Sequence, residues 1–140
     1  MTDIVVTAAQ VAMLDPIKCI TRSYLAGVAI TKGQAVYIYT DGTVKLCDAN
    51  GSGTYQFRGI ALNTVGIGQA VEVLHEGEVG GFTVAGMNAD AVVYVSNTAG
   101  ALATAAGTTD IVAGRVVCLT NGPTSTKVVR ITTQWATIWA

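Results

Sequence analysis

Apolar and polar positions alternate in short runs along this chain, and the same arrangement of runs occurs twice. Gly33-Gln34-Ala35-Val36-Tyr37-Ile38-Tyr39 leads into a turn at Asp41-Gly42, then Thr43-Val44-Lys45-Leu46, and later Arg58-Gly59-Ile60-Ala61-Leu62. Ala91-Val92-Val93-Tyr94-Val95-Ser96 leads into a turn around Gly100, then Ala101-Leu102, and later Ala113-Gly114-Arg115-Val116-Val117-Cys118-Leu119. Tyr94 matches Tyr37, and Gly114 matches Gly59 at nearly the same offset along the chain. Asp41-Gly42 is a strong hairpin signal, because glycine accepts a positive φ without steric cost. Each half therefore predicts a strand, a tight turn, a second strand and a returning strand.

Further strands are expected over Ile17–Tyr24, Phe57–Leu62, Val71–His75, Phe82–Val84, Arg115–Leu119 and Lys127–Thr133, with Gly66-Ile67-Gly68 as a turn. Many short strands with glycine-rich turns predict an all-β, single-domain sandwich or barrel of short antiparallel strands with two similar hairpin halves. Three segments are expected: an N-terminal apolar arm over residues 1–20, a β domain over 21–133, and an aromatic tail over 134–140. Ala8–Met13 fits a short helix or an extended arm equally well. Ile4, Val5, Val6, Val11, Met13 and Leu14 would face water in a free arm. Their burial is worth roughly 1.5–3 kcal/mol each, so they are expected to pack on a neighbouring subunit or partner. Trp135 and Trp139 stand one helical turn apart, and either cap the core or anchor on a neighbouring subunit.

Composition sharpens this picture. Hydrophobic residues make up 51% and charged residues 12%, with a net charge of −1. That charge content is about half of the roughly 25% of ordinary soluble domains. So neutral a surface does little to keep copies apart, which favours assembly over a free monomer. The eight Lys and Arg are scattered, so no nucleic-acid partner is expected. No membrane partner is expected either, since polar residues break every apolar run well before it reaches spanning length. Asp3 stands where a secretory signal would carry positive charge. Cys19, Cys47 and Cys118 are odd in number and widely spaced, which predicts buried thiols rather than a disulfide framework or metal site.

Candidate chemistry is sparse. His75 is the single histidine, and Leu74-His75-Glu76-Gly77-Glu78 reads as a strand end beside a turn rather than a base or metal ligand. Gly66-Ile67-Gly68-Gln69-Ala70-Val71 has Val71 where a dinucleotide loop has its third glycine. Asp41 and Asp48 lie in turn contexts where aspartate caps backbone. No catalytic residue, metal ligand or cofactor is expected, and the chain is not read as an enzyme.

Gly33-Gln34-Ala35-Val36-Tyr37, Asp41-Gly42-Thr43-Val44, Gly59-Ile60-Ala61-Leu62, Gly68-Gln69-Ala70-Val71-Glu72-Val73 and Ala91-Val92-Val93-Tyr94-Val95 resemble the capsid cement, or head decoration, proteins of tailed bacteriophages. The resemblance covers roughly residues 27–120. It implies a β-rich structural virion protein, made in the bacterial host cytoplasm. Such a protein would bind the outer capsid surface, commonly as a homotrimer, and cement neighbouring major capsid subunits. The alternative is a phage tail, baseplate or spike domain that binds a receptor or glycan.

Overall fold

The structure is a computed structural model that describes residues 2–51, 54, 56–121 and 124–133. Among these residues it is all-β, with ten strands in an antiparallel sheet curled into a half-barrel. In chain order they are β1 Met13–Leu14, β2 Ile20–Leu25, β3 Ala35–Ile38, β4 Val44–Leu46, β5 Gly59–Ala61, β6 Ala70–Val79, β7 Val92–Val95, β8 Leu102–Ala103, β9 Val112–Asn121 and β10 Thr124–Ile131. The sheet order is β4-β3-β5-β6-β10-β9-β7-β8, and β1 and β2 also pair with β6.

That order is palindromic, and the register shows why. In the first half Val36 pairs with Gly59 and Tyr37 with Lys45. In the second half Val93 pairs with Gly114 and Tyr94 with Ala103. Single hydrogen bonds repeat too. The Gly33 amide donates to Ala61 O at 2.8 Å, and the Asp90 amide, at the matching position of the second half, donates to Val116 O at 2.7 Å. Both donors hold the left-handed backbone conformation, with φ of 94° at Gly33 and 66° at Asp90. The repeated sequence pattern is thus a repeated structural unit. Tyr37 and Tyr94 take matching places in their hairpins.

The two units share β6. Its first half closes the first unit by pairing with β2 and β5. Its last residues open the second unit by pairing with β10 and β1. The correspondence extends to the closing pairs: Ile20 faces Glu76 in the first unit, as Gly77 faces Ile131 in the second. His75 therefore lies inside a strand rather than at its end, which corrects the sequence reading. Gly77 does not stop the strand because β10 pairs with it and, on the other edge, β2 and β1 pair with Glu76 and Glu78 on either side of it. Its φ of 141° bends the chain while Cys19 packs against it; a Cβ there would lie 2.5 Å from Cys19 Sγ.

Other boundaries shift. Ile17 belongs to a 3-10 turn, Pro16–Lys18, and the strand begins at Ile20. Phe82–Val84 is not a regular strand; Phe82 makes one isolated bridge to Val6. β10 runs Thr124–Ile131, so it starts earlier and ends earlier than expected.

Both faces of the first unit are buried, so two cores form. Ala35, Tyr37, Ile60 and Leu74 point into the larger one with Phe57, Val93, Val95 and Ile111. Val36, Val44, Ala61, Val71 and Val73 point into the smaller one, covered by Ala26, Ile30 and Val65. Period-2 alternation puts neighbours in a strand into different cores.

The N-terminal segment serves its own chain. Ala8–Gln10 is one 3-10 turn, and β1 follows. The Ile4 amide bonds Leu102 O at 2.8 Å, the Thr7 amide bonds Gly81 O at 2.8 Å, and the Gly80 amide bonds Ala12 O at 3.0 Å. Ile4 and Val11 are buried in the larger core. Their assignment to a contact with a neighbour is therefore corrected: the apolar cover they need comes from residues far along the same chain.

Two outcomes follow from this packing. A Cβ at Gly59 or Gly114 would collide with the carbonyl oxygen of the paired strand, at Leu74 and Arg130 respectively. At Gly42 there is nothing within 4 Å and only the positive φ resists substitution. Gly42→Ala is expected to cost about 1 kcal/mol, and Gly59→Ala or Gly114→Ala at least twice that, measured by urea unfolding. Removal of residues 2–14 takes Ile4 and Val11 out of the core, about 1.5–3 kcal/mol for each side chain. The truncated chain is expected to melt well below the full chain in a thermal scan.

Candidate functional site

The most built polar feature lies where β2 crosses the middle of β6. A cleft of about 330 Å³ is lined by Ile20, Thr21, Arg22, Tyr24, His75, Glu76 and Thr133. Pairing of Tyr24 with Val71 and of Thr21 with Leu74 sets the register that brings the Tyr24 and His75 rings together. They meet edge to face with centroids 5.6 Å apart.

The hydrogen bonds assign the protons. His75 Nδ1 lies 2.5 Å from Arg58 O, and a carbonyl can only accept, so Nδ1 carries hydrogen. Nε2 then has a free lone pair in the neutral ring, and Tyr24 Oη, at 2.8 Å, donates to it. Burial favours this neutral ring and holds His75 below its ordinary pKa of 6.5; the Arg58 carbonyl bond opposes, and the Arg22 and Arg58 charges reinforce the depression. Burial likewise raises the Tyr24 phenol, with Arg22 opposing. The Arg22 guanidinium sits 5.4 Å from the Tyr24 ring centroid. Glu76 pairs with Arg130 at 3.7 Å, both partly exposed, and Ser23 Oγ donates to Glu72 at 2.6 Å.

Around the cleft, β2 is bonded, among the described residues, to β6 along one edge only. Ile20 and Leu25 are each 56% exposed, and Ile17, in the turn before them, is 96% exposed. Three large apolar side chains thus line one strand and its approach. No periodic signal separates them from core residues, because a strand's open edge is defined by a neighbour that its own sequence does not contain.

The residues expected at an interface scatter. Val5 is 66% exposed, Val6 stands at the border of exposure, and Met13 and Leu14 are half-buried beside β6. Ile4 and Val11 are core. Trp135 and Trp139 lie outside the described residues.

Other chemistry-bearing groups serve local structure. Asp41 caps Thr43 through its backbone amide and hydroxyl, and these bonds lower its pKa. Asp48 accepts from the Asn50 and Gly51 amides. The buried Ser96 hydroxyl donates to the Asp3 carboxylate. Cys47 is buried and its thiol pKa is pushed far up, whereas Cys118 is exposed, so the expectation of buried thiols does not hold there. Among the described residues no three His, Cys, Asp or Glu side chains group as metal ligands, and no helix is long and apolar enough to cross a membrane.

The His75 geometry sets a pH response. With the folded pKa below the unfolded one, the unfolded chain binds more protons below about pH 6.5, so stability is lost as pH falls. The melting midpoint is expected to drop between pH 7.5 and 5.5, and His75→Asn is expected to flatten that slope. Tyr24→Phe leaves Nε2 without its donor and is expected to cost about 1 kcal/mol at neutral pH. Comparison with protein families, with curated proteins and with solved structures finds no match to this chain.

Proposed function

We propose that this chain is a structural virion protein that binds the outer surface of a tailed-phage capsid as a homotrimer and cements neighbouring major capsid subunits. The observation that carries this reading is the exposure of three large apolar side chains, Ile20 and Leu25 on β2 and Ile17 in the turn before it, beside a strand edge that no described residue covers, in a chain with only 12% charged residues. A surface so poor in charge is suited to being covered. The resemblance to capsid decoration proteins supports the same role, since its motifs fall on the duplicated strands.

No catalytic step is proposed. His75 uses both ring nitrogens within the fold, one on a main-chain carbonyl and one on Tyr24. The alternative of a glycan-binding domain needs an aromatic face open to a sugar. Two candidate faces are already taken by cations: Arg22 lies 5.4 Å from the Tyr24 centroid and Lys45 Nζ 3.7 Å from that of Tyr39.

The test is to mix purified protein with expanded capsid shells that lack it. Saturable co-sedimentation at a fixed ratio to the shell protein, together with a higher shell melting temperature, is the expected result. Shells that neither bind the protein nor gain heat resistance would end this reading.

A further inference from the structure

The duplicated unit shows what belongs on the open edge of β2. In the second unit the strand equivalent to β2 is the end of β6, Gly77–Val79, with its continuation to Gly80. One edge of that strand pairs with β10; the other is covered by an extended apolar segment of the same chain. Met13 pairs with Val79 and Leu14 with Glu78, and the Gly80 amide donates to Ala12 O. The first unit has no such cover among the described residues.

The open groups are identified by the ladder. The Ala26 amide bonds Gln69 O, on the side of β6. Alternation then turns the Arg22 and Tyr24 main-chain groups toward β6 and those of Thr21 and Ser23 away from it. The Leu62 amide, on the opposite side of β6, takes Glu72 O, as this parity requires for the residue facing Ser23. Ser23 precedes Gly80 by the same offset that separates Tyr37 from Tyr94, so its outward amide is the counterpart of the one that Ala12 already satisfies. Toward its C-terminal end the edge closes, where the Gly27 amide bonds Val44 O. Among the described residues the stretch without a partner on this edge is Thr21–Ser23.

From this correspondence we infer that β2 is a docking edge for an extended, apolar, uncharged segment of the capsid shell protein, which adds as an antiparallel strand at Thr21–Ser23. The inference rests on the function proposed above and names the surface through which that function works. Main-chain bonds to Thr21 and Ser23 supply register, Ile20 flanks the added strand, and the neighbouring cleft takes one anchoring side chain. A second copy of β2 fits less well. Antiparallel pairing centred on the free stretch sets Arg22 against Arg22, and like charges directly opposite are destabilising.

Ser23→Pro tests the edge. Its lost N–H points away from β6, where an edge strand tolerates proline, while its ring blocks an added strand. The difference between Ser23→Ala and Ser23→Pro isolates the N–H from the lost Glu72 hydrogen bond. The expected result is that wild type and Ser23→Ala co-sediment with shells and Ser23→Pro, with an unchanged circular dichroism spectrum, does not. Equal binding by wild type and Ser23→Pro overturns the inference and leaves the function standing. A wild-type oligomer that Ser23→Pro dissociates makes a second copy the occupant, and also overturns it.

If wild type binds no shells, the function falls, and an end-capped peptide with the uncharged sequence of residues 9–14 decides whether the edge accepts a strand. Roughly tenfold slower hydrogen exchange at the Thr21 and Ser23 amides supports a docking edge. No protection, or protection confined to Glu78 and Gly80, overturns it.

Discussion

One strand with two jobs holds this molecule together. β6 is paired on both edges at Val73–Leu74 and again at Glu78–Val79, because it ends one unit and begins the other. Four strands meet it: β2 and β5 at one end, β1 and β10 at the other. Gly77, with its φ of 141°, stands where the β2 partner gives way to β1 and β10. A side chain at Gly77 would displace Cys19 and the turn that joins β1 to β2.

Duplication with a shared strand leaves the two units unequal at their outer ends. Tyr24 of the first unit corresponds to Gly81 of the second, by the offset that also relates Tyr37 to Tyr94. The space that the Tyr24 ring takes in the first unit is open at Gly81, and Val11 fills it, with its Cα 2.8 Å from where a Cβ would stand. One unit is closed by a polar pair, Tyr24 and His75, and the other by an apolar segment from the N-terminus. The polar closure needs hydrogen bonds to both ring nitrogens, because a buried polar atom without a partner is costly. The apolar closure needs only shape.

The same inequality relates architecture to the proposed role. The second unit completes its edge with its own chain, and among the described residues the first leaves the outward main-chain groups of Thr21 and Ser23 without a strand partner beside Ile20. A protein that must hold other chains together gains from a rigid double core and an edge that remains to be completed. The ends of the sheet order are also tied, since the Ala35 amide bonds Gly100 O and the Ala49 amide bonds Ser96 O. A strand added to β2 would therefore load a half-barrel whose two units are bonded to each other.

What the sequence by itself determined was local. Asp41-Gly42 and Gly100 announced hairpins because positive φ selects glycine within a few residues. The strands around Tyr37 and Tyr94 were legible because side-chain alternation is a property of the strand alone, and the internal repeat was legible because both copies kept it. Ile17–Tyr24 could be read as a strand, but not as an open edge. The tertiary structure decided whatever depended on distant partners. His75 sits inside β6 because Arg58 and Tyr24 reach it across the sheet, and the strand passes Gly77 because β10 pairs there. Ile4 and Val11 lie in the core because Leu102 and Gly81 receive them. An apolar segment announces that it needs cover, whereas the source of that cover is set by which surfaces the folded chain brings within reach.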